Sequence, residues 1–83
     1  MMIKGRRGYY EITISELQDK SFKIRIIDNL PTNQRPIGTE ILDTVVPSEA
    51  EAKAAAAEAI AKDVGVSAAV IARDIDWSKH KGE

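Results

Sequence analysis

With 83 residues, 43% of them hydrophobic and 30% charged, the chain has the make-up of one small globular domain, above the size at which metals or disulfides become necessary for folding. The lack of cysteine excludes a disulfide framework, a thiolate metal site and a cysteine nucleophile. No apolar run approaches the roughly 20 residues that span a bilayer, and Met1 to Gly8 lacks the apolar core of a signal peptide, so a soluble, cytoplasmic protein is expected. The formal net charge is −1, yet the first 36 residues carry seven Lys/Arg against four Asp/Glu, while residues 37–78 carry three against eight. Such a bipolar chain suits phosphates at one end and a basic protein surface at the other, with ordinary solvation as the plainer account.

In chain order, residues 1–8 read as a basic flexible arm. Residues 9–17 alternate, with Tyr10, Ile12 and Ile14 on one side and Glu11 and Thr13 on the other, the pattern of a half-buried strand. A turn at 18–21 leads to a second strand over 22–28, where Phe22, Ile24 and Ile26 share one face and Lys23 and Arg25 the opposite one. These two pair as a hairpin, with Glu11 and Thr13 near Lys23 and Arg25. Residues 29–36, with two prolines, form a long loop. The β-branched stretch 37–46 reads as a third strand, but strict alternation puts Glu40 on one face and Asp43 on the other, which points to a bulge.

Pro47-Ser48-Glu49-Ala50-Glu51 opens a helix, with Ser48 capping the amide of Glu51 and Glu51 reaching back to the amide of Ser48. Alanine-rich sequence carries it to Val64, with Ala52, Ala55, Ala56, Ala59, Ile60 and Val64 facing inward, and Gly65 stops it in the left-handed conformation. Beyond Gly65 two readings compete: a short helix from Ala68 to Trp77 capped by Ser67, or a fourth strand over 70–77. Residues 78–83 form a polar tail. The expected fold is α+β, a three-stranded antiparallel sheet covered on one face by an alanine-rich helix.

Residues 61–71, with Ala61, Gly65 and Ile71 in register, resemble a helix-turn-helix over 57–76. That resemblance implies DNA contact from the second helix, although only Ser67 and Arg73 of its outward residues can hydrogen-bond a base or phosphate. Three strands and a helix are also similar to the sheet domains with which phage and transposon integrases contact DNA. On that likeness Lys4, Arg6, Arg7, Lys23 and Arg25 would meet the nucleic acid, joined by Arg35 and with Tyr9 beside them. The same order resembles small phage-borne inhibitors, anti-CRISPR proteins among them, and the partner-binding halves of antitoxins. It implies a mobile-element inhibitor that covers a partner's surface with acids such as Glu49, Glu51, Glu58, Asp63, Asp74 and Asp76.

Catalytic signals are absent: the sole histidine, His80, has no evident carboxylate to orient it, the serines follow no nucleophile motif, and no phosphate-binding glycine loop occurs. No enzyme, cofactor or metal is expected. The leading expectation is protein binding through the 29–36 loop, the acidic helix or a free sheet edge, at Glu49, Glu51, Glu58, Asp63, Asn33, Gln34 and Arg35. Edge pairing of two copies would also give a homodimer. Nucleic-acid binding through Lys4, Arg6, Arg7, Lys23, Arg25 and Arg73 is the alternative.

Overall fold

The computed structural model describes residues 1–31 and 35–80. Strands β1 (Met2–Arg7), β2 (Tyr10–Glu16), β3 (Phe22–Asp28) and β4 (Thr39–Val46) precede helix α1 (Glu49–Val64), a short helix α2 (Ala68–Asp74) and strand β5 (Asp76–His80). The five strands form one antiparallel sheet in the order β4-β3-β2-β1-β5. The expected three strands lie within it, and two more complete it.

The first addition corrects the arm. Residues 2–7 are a strand seated between β2 and β5, with Ile3 and Gly5 buried and Lys4 and Arg6 exposed. A two-residue turn at Gly8 and Tyr9 connects it to β2, and Gly8 takes the positive φ (59°) that such a turn demands. The alternation was concealed because one inward position holds glycine. That glycine is needed: a Cβ at Gly5 would lie 2.7 Å from two ring carbons of Trp77, the residue directly opposite on β5.

The segment after Gly65 divides between the two readings, helix first and strand second. Ser67 caps α2, its Oγ accepting from the Val70 amide at 3.4 Å, and the helix ends at Asp74 rather than reaching Trp77. This break lets Ile71 on the helix and Ile75 beyond it both enter the core, after which β5 adds to β1. Residues 78–80 therefore belong to a strand, not to a loose tail. Trp77 packs at the margin of the core, with the Lys53 ammonium 5.4 Å from its ring centroid, within cation–π range.

Helix α1 has the expected bounds. Ser48 Oγ accepts from the Glu51 amide at 3.2 Å, while the Glu51 carboxylate meets the Ser48 hydroxyl instead of its amide. Gly65 is left-handed (φ 80°), and its amide donates to the Ala61 carbonyl at 2.8 Å. The buried stripe is Ala52, Ala56, Ala57, Ile60 and Ala61. It is turned from the expected one: Ala55 and Ala59 are only partly buried and Val64 is exposed, since α2 packs on α1 as the sheet does. Ile3, Ile12, Ile14, Ile24 and Ile26 supply the bulky layer beneath, closed by Ile60 and Ile71. Alanines on the helix let its backbone come close to those branched side chains.

Candidate functional site

Strand β4 is one edge of the sheet, and α1 runs over the sheet beside it. Between them lies an open groove of about 480 Å³ with Ile41, Leu42, Ala55 and Ala59 as its apolar lining and Glu58, Lys62 and Asp63 around it. Two neighbouring side chains of one strand line the same groove because the pairing skips a residue: Leu42 faces Ile26 and Glu40 faces Ile27, leaving Ile41 as the bulge. Bulges re-aim side chains in this way. The same extra residue brings Glu40 and Asp43, three apart in sequence, onto one face of the sheet, opposite Ile27 and Arg25.

The main chain of β4 is half unpaired. The Asn29 amide donates to the Tyr9 carbonyl and the Gly38 amide to the Asp28 carbonyl, both at 3.0 Å, which fixes the alternation along β3. Ile24 and Ile26 therefore bond toward β4, and their partners Thr44 and Leu42 bond back. Asp43 and Val45, opposite Arg25 and Lys23, turn their N–H and C=O groups outward to the free edge. Exposed apolar side chains flank this edge, with Val45 52% and Ile37 66% accessible.

A polar cluster closes one end of the groove. Arg35 holds Asp63 through both terminal nitrogens, at 3.1 and 2.7 Å, and also binds the buried Asp28. The Tyr10 hydroxyl donates to the Asp63 carboxylate. Burial first, then that hydrogen bond and the charge of Asp63, raise the Tyr10 phenol to about 12. Hydrogen bonds from Arg35 and then from Tyr10 hold the Asp63 carboxyl below the ordinary carboxylate range, and Asp63 and Asp28 raise the Arg35 guanidinium further. Arg35 and Asp63 thus tie the end of α1 to the segment just ahead of β4 and to Asp28 at the end of β3.

A phenol raised in the fold contributes stability that is complete below its unfolded value near 10 and is lost as pH rises through about 12. A carboxyl lowered in the fold contributes stability present above its unfolded value near 3.9 and lost as pH falls through its lowered value. In a Tyr9→Phe protein, whose one remaining tyrosine is Tyr10, the tyrosinate absorbance should therefore appear at about 12. Asp63→Asn should move it only part of the way back toward 10, because burial is the larger cause. Titration at the unperturbed value in the Tyr9→Phe protein would contradict the cluster.

The uncovered face of the sheet carries Lys4, Arg6, Lys23 and Arg25 together, and Arg7 is set apart. Arg7 lies on the helix side, 3.5 Å from Asp74 of α2. The four co-facial bases alternate with Glu11, Glu40, Asp43 and Asp76, including an Arg25–Glu40 pair at 2.6 Å and a Lys23–Asp43 pair at 3.8 Å. A depression of about 250 Å³ among Lys4, Arg6, Glu11, Thr13, Asp76 and Ser78 is lined by both signs. The face is balanced in charge, whereas phosphate binding calls for a net positive one.

The remaining anticipated residues are dispersed. Glu49 pairs with Lys53 at 3.3 Å, Glu51 serves the helix start, and Glu58 lies at the groove. Asn33 and Gln34 lie outside the described residues. Arg73 is exposed on α2, whose other outward side chains are Ala69, Val70, Ala72 and Asp74. The residues not anticipated are Ile41, Leu42, Ala55 and Ala59; the one sequence signal for them was the clash of Glu40 and Asp43 with strict alternation. Among the described residues no group of three or more histidines, aspartates and glutamates could hold a metal, and no helix is long and apolar enough to cross a membrane. No protein-family model, curated protein or solved structure matches the chain.

Proposed function

We propose that this chain is a non-enzymatic protein-binding domain that takes an extended segment of its partner along the free edge of β4. The observation that carries the proposal is the coincidence of an unpaired strand edge with an apolar groove beside it. Strand addition needs both: outward N–H and C=O groups give affinity, and a pocket for alternate side chains gives selectivity. Charged residues, proline and bulges commonly guard such edges; Thr39–Val46 has no lysine or proline, its guards being the acids Glu40 and Asp43 and the bulge at Ile41. The groove volume is within the range of sites that hold small ligands or a few side chains.

Nucleic-acid binding through Lys4, Arg6, Lys23 and Arg25 is the second reading, favoured by their common face. The four acids interleaved with them argue against it. Inhibition of a partner, as in phage-borne proteins, would be one use of a strand-taking edge; the acids invoked for mimicry point in several directions, and most are engaged within the fold.

Selection of linear peptides from a displayed random library, followed by amide chemical-shift mapping on the protein, tests the proposal. Selected peptides should shift the amides of β4 and of α1 around Ala55 and Ala59. Val45→Pro removes an outward N–H without touching the β3 ladder, as proline is tolerated at such edge positions. It should weaken binding at least about tenfold, the order expected for losing one main-chain bond of about 1 kcal/mol together with the fit of the added strand. Shifts confined to another surface, or indifference to Val45→Pro, would refute it.

A further inference from the structure

We infer that the segment taken by β4 is an extended chain in which apolar side chains alternate with lysine or arginine. This rests on the strand-addition reading above and adds the chemistry of the ligand. In an added strand, successive side chains point to opposite faces. One set enters the groove over Ile41, Leu42, Ala55 and Ala59, which offers no buried polar partner and selects apolar groups. The other set lies on the uncovered face, directly opposite the outermost row of side chains: Glu40, Asp43 and Val45.

That row decides the charge. Directly opposed side chains in an antiparallel pair sit about 4.5–5.5 Å apart at Cβ, and the next row is a strand spacing of about 4.8 Å further in. An incoming strand therefore meets the two carboxylates of β4 before it meets Lys23 and Arg25 of β3. Neither carboxylate is saturated by those bases. Glu40 receives Arg25 Nε on Oε2 alone, and the Lys23 ammonium stands 3.8 Å from Asp43. Each carboxylate has about four acceptor sites, so outward ones remain for a lysine or arginine of the ligand.

The same row disfavours the other obvious occupant, a second copy of this chain. Antiparallel self-pairing of β4 would set the Glu40 and Asp43 rows of the two copies side by side, and like charges across a strand pair are destabilising. The two acids thus act as a guard against self-association while accepting a basic partner, a use of one feature for both purposes that edge strands allow.

The test uses the whole chain and three fluorescent capped peptides of the length of β4, alternating valine with lysine, with serine or with glutamate. At about 50 mM salt the lysine peptide should bind on the order of tenfold more tightly than the glutamate peptide, as two opposed pairs change sign. The gap should narrow with added salt, as screening requires, and the amides of Asp43 and Val45 should shift. Glu40→Lys/Asp43→Lys should reverse the order, and the milder Glu40→Gln/Asp43→Asn should abolish the difference if the first variant fails to fold. Equal binding of all three peptides at β4 would overturn the charge rule and leave strand addition standing. Absence of binding, or a lysine preference that survives Val45→Pro, would overturn both. A free chain that sediments as a dimer, and as a monomer after Val45→Pro, would make a second copy the occupant and overturn the inference.

Discussion

Ile60→Ala should lower the free energy of unfolding by about 2–5 kcal/mol, a large part of the roughly 5–15 kcal/mol that a domain possesses. Ile60 is wholly buried and is the one bulky residue on the inward face of α1, where its buried neighbours Ala52, Ala56, Ala57 and Ala61 are all alanines. Its removal leaves a cavity that the helix cannot close by moving nearer, because those alanines already allow close approach to Ile24 and Ile26. The expected result in urea is a lowered midpoint with an unchanged slope, since the native fold is retained. Ala54→Leu, on the exposed side of the same helix, should change stability by no more than about 0.5 kcal/mol. Similar losses for the two variants would mean that α1 does not pack as described.

Gly5→Ala should destabilise the protein by about 1–3 kcal/mol, the range for overfilling a packed site. The added Cβ would stand 2.7 Å from Trp77 ring carbons and 3.1 Å from Ile75 Cγ2, so the ring must move. Its neighbour across the strand pair is fixed by the register Gly5↔Trp77, and shifting the ring disturbs both β5 and the Lys53 contact. Trp77 is the chain's one tryptophan, so its emission reports this site alone. A red-shifted emission in the folded Gly5→Ala protein, accompanied by the loss of stability, is the expected outcome. Unchanged emission and stability would place the ring elsewhere.

The parts of the fold that could be read in the sequence are those in which local pattern and tertiary role coincide. Ile12 and Ile14, then Ile24 and Ile26, alternate as the sheet requires, and Ser48, Glu51 and Gly65 bound the helix where they occur. Strand β1 escaped because its inward position 5 carries glycine for the sake of a tryptophan 72 residues later, a reason that no local pattern contains. Strand β5 was legible only as a fourth strand over 70–77 in competition with a helix, because Ser67 and the alanines after it favour a helix. Only the requirement to bury both Ile71 and Ile75 ends that helix early and lets the strand follow it. Tertiary packing overrode local preference there.

The groove was less legible than the fold. Its alanines have the helical spacing of core residues, yet α2 turns the buried stripe of α1 and leaves Ala55 and Ala59 at the margin. Ile41 and Leu42 reach it together only because of a bulge, and Glu40 and Asp43 were the trace of that bulge in the sequence. Arg35 and Asp63 belong to separate segments and read in the sequence as independent surface charges; they meet in one cluster with Asp28 and Tyr10. Long-range pairing of this kind depends on where Arg35, ahead of β4, meets the end of α1, which composition does not specify.

Hydrogen exchange at the Asp43 and Val45 amides tests strand addition most directly, measured on the free protein and on its complex with a library-selected peptide. The free protein should exchange these two amides quickly while Leu42 and Thr44, bonded to β3, stay protected. Slowing of Asp43 and Val45 in the complex, with little change at Leu42 and Thr44, is the predicted result. Protection that falls elsewhere while Asp43 and Val45 continue to exchange freely would contradict the edge of β4 as the binding site.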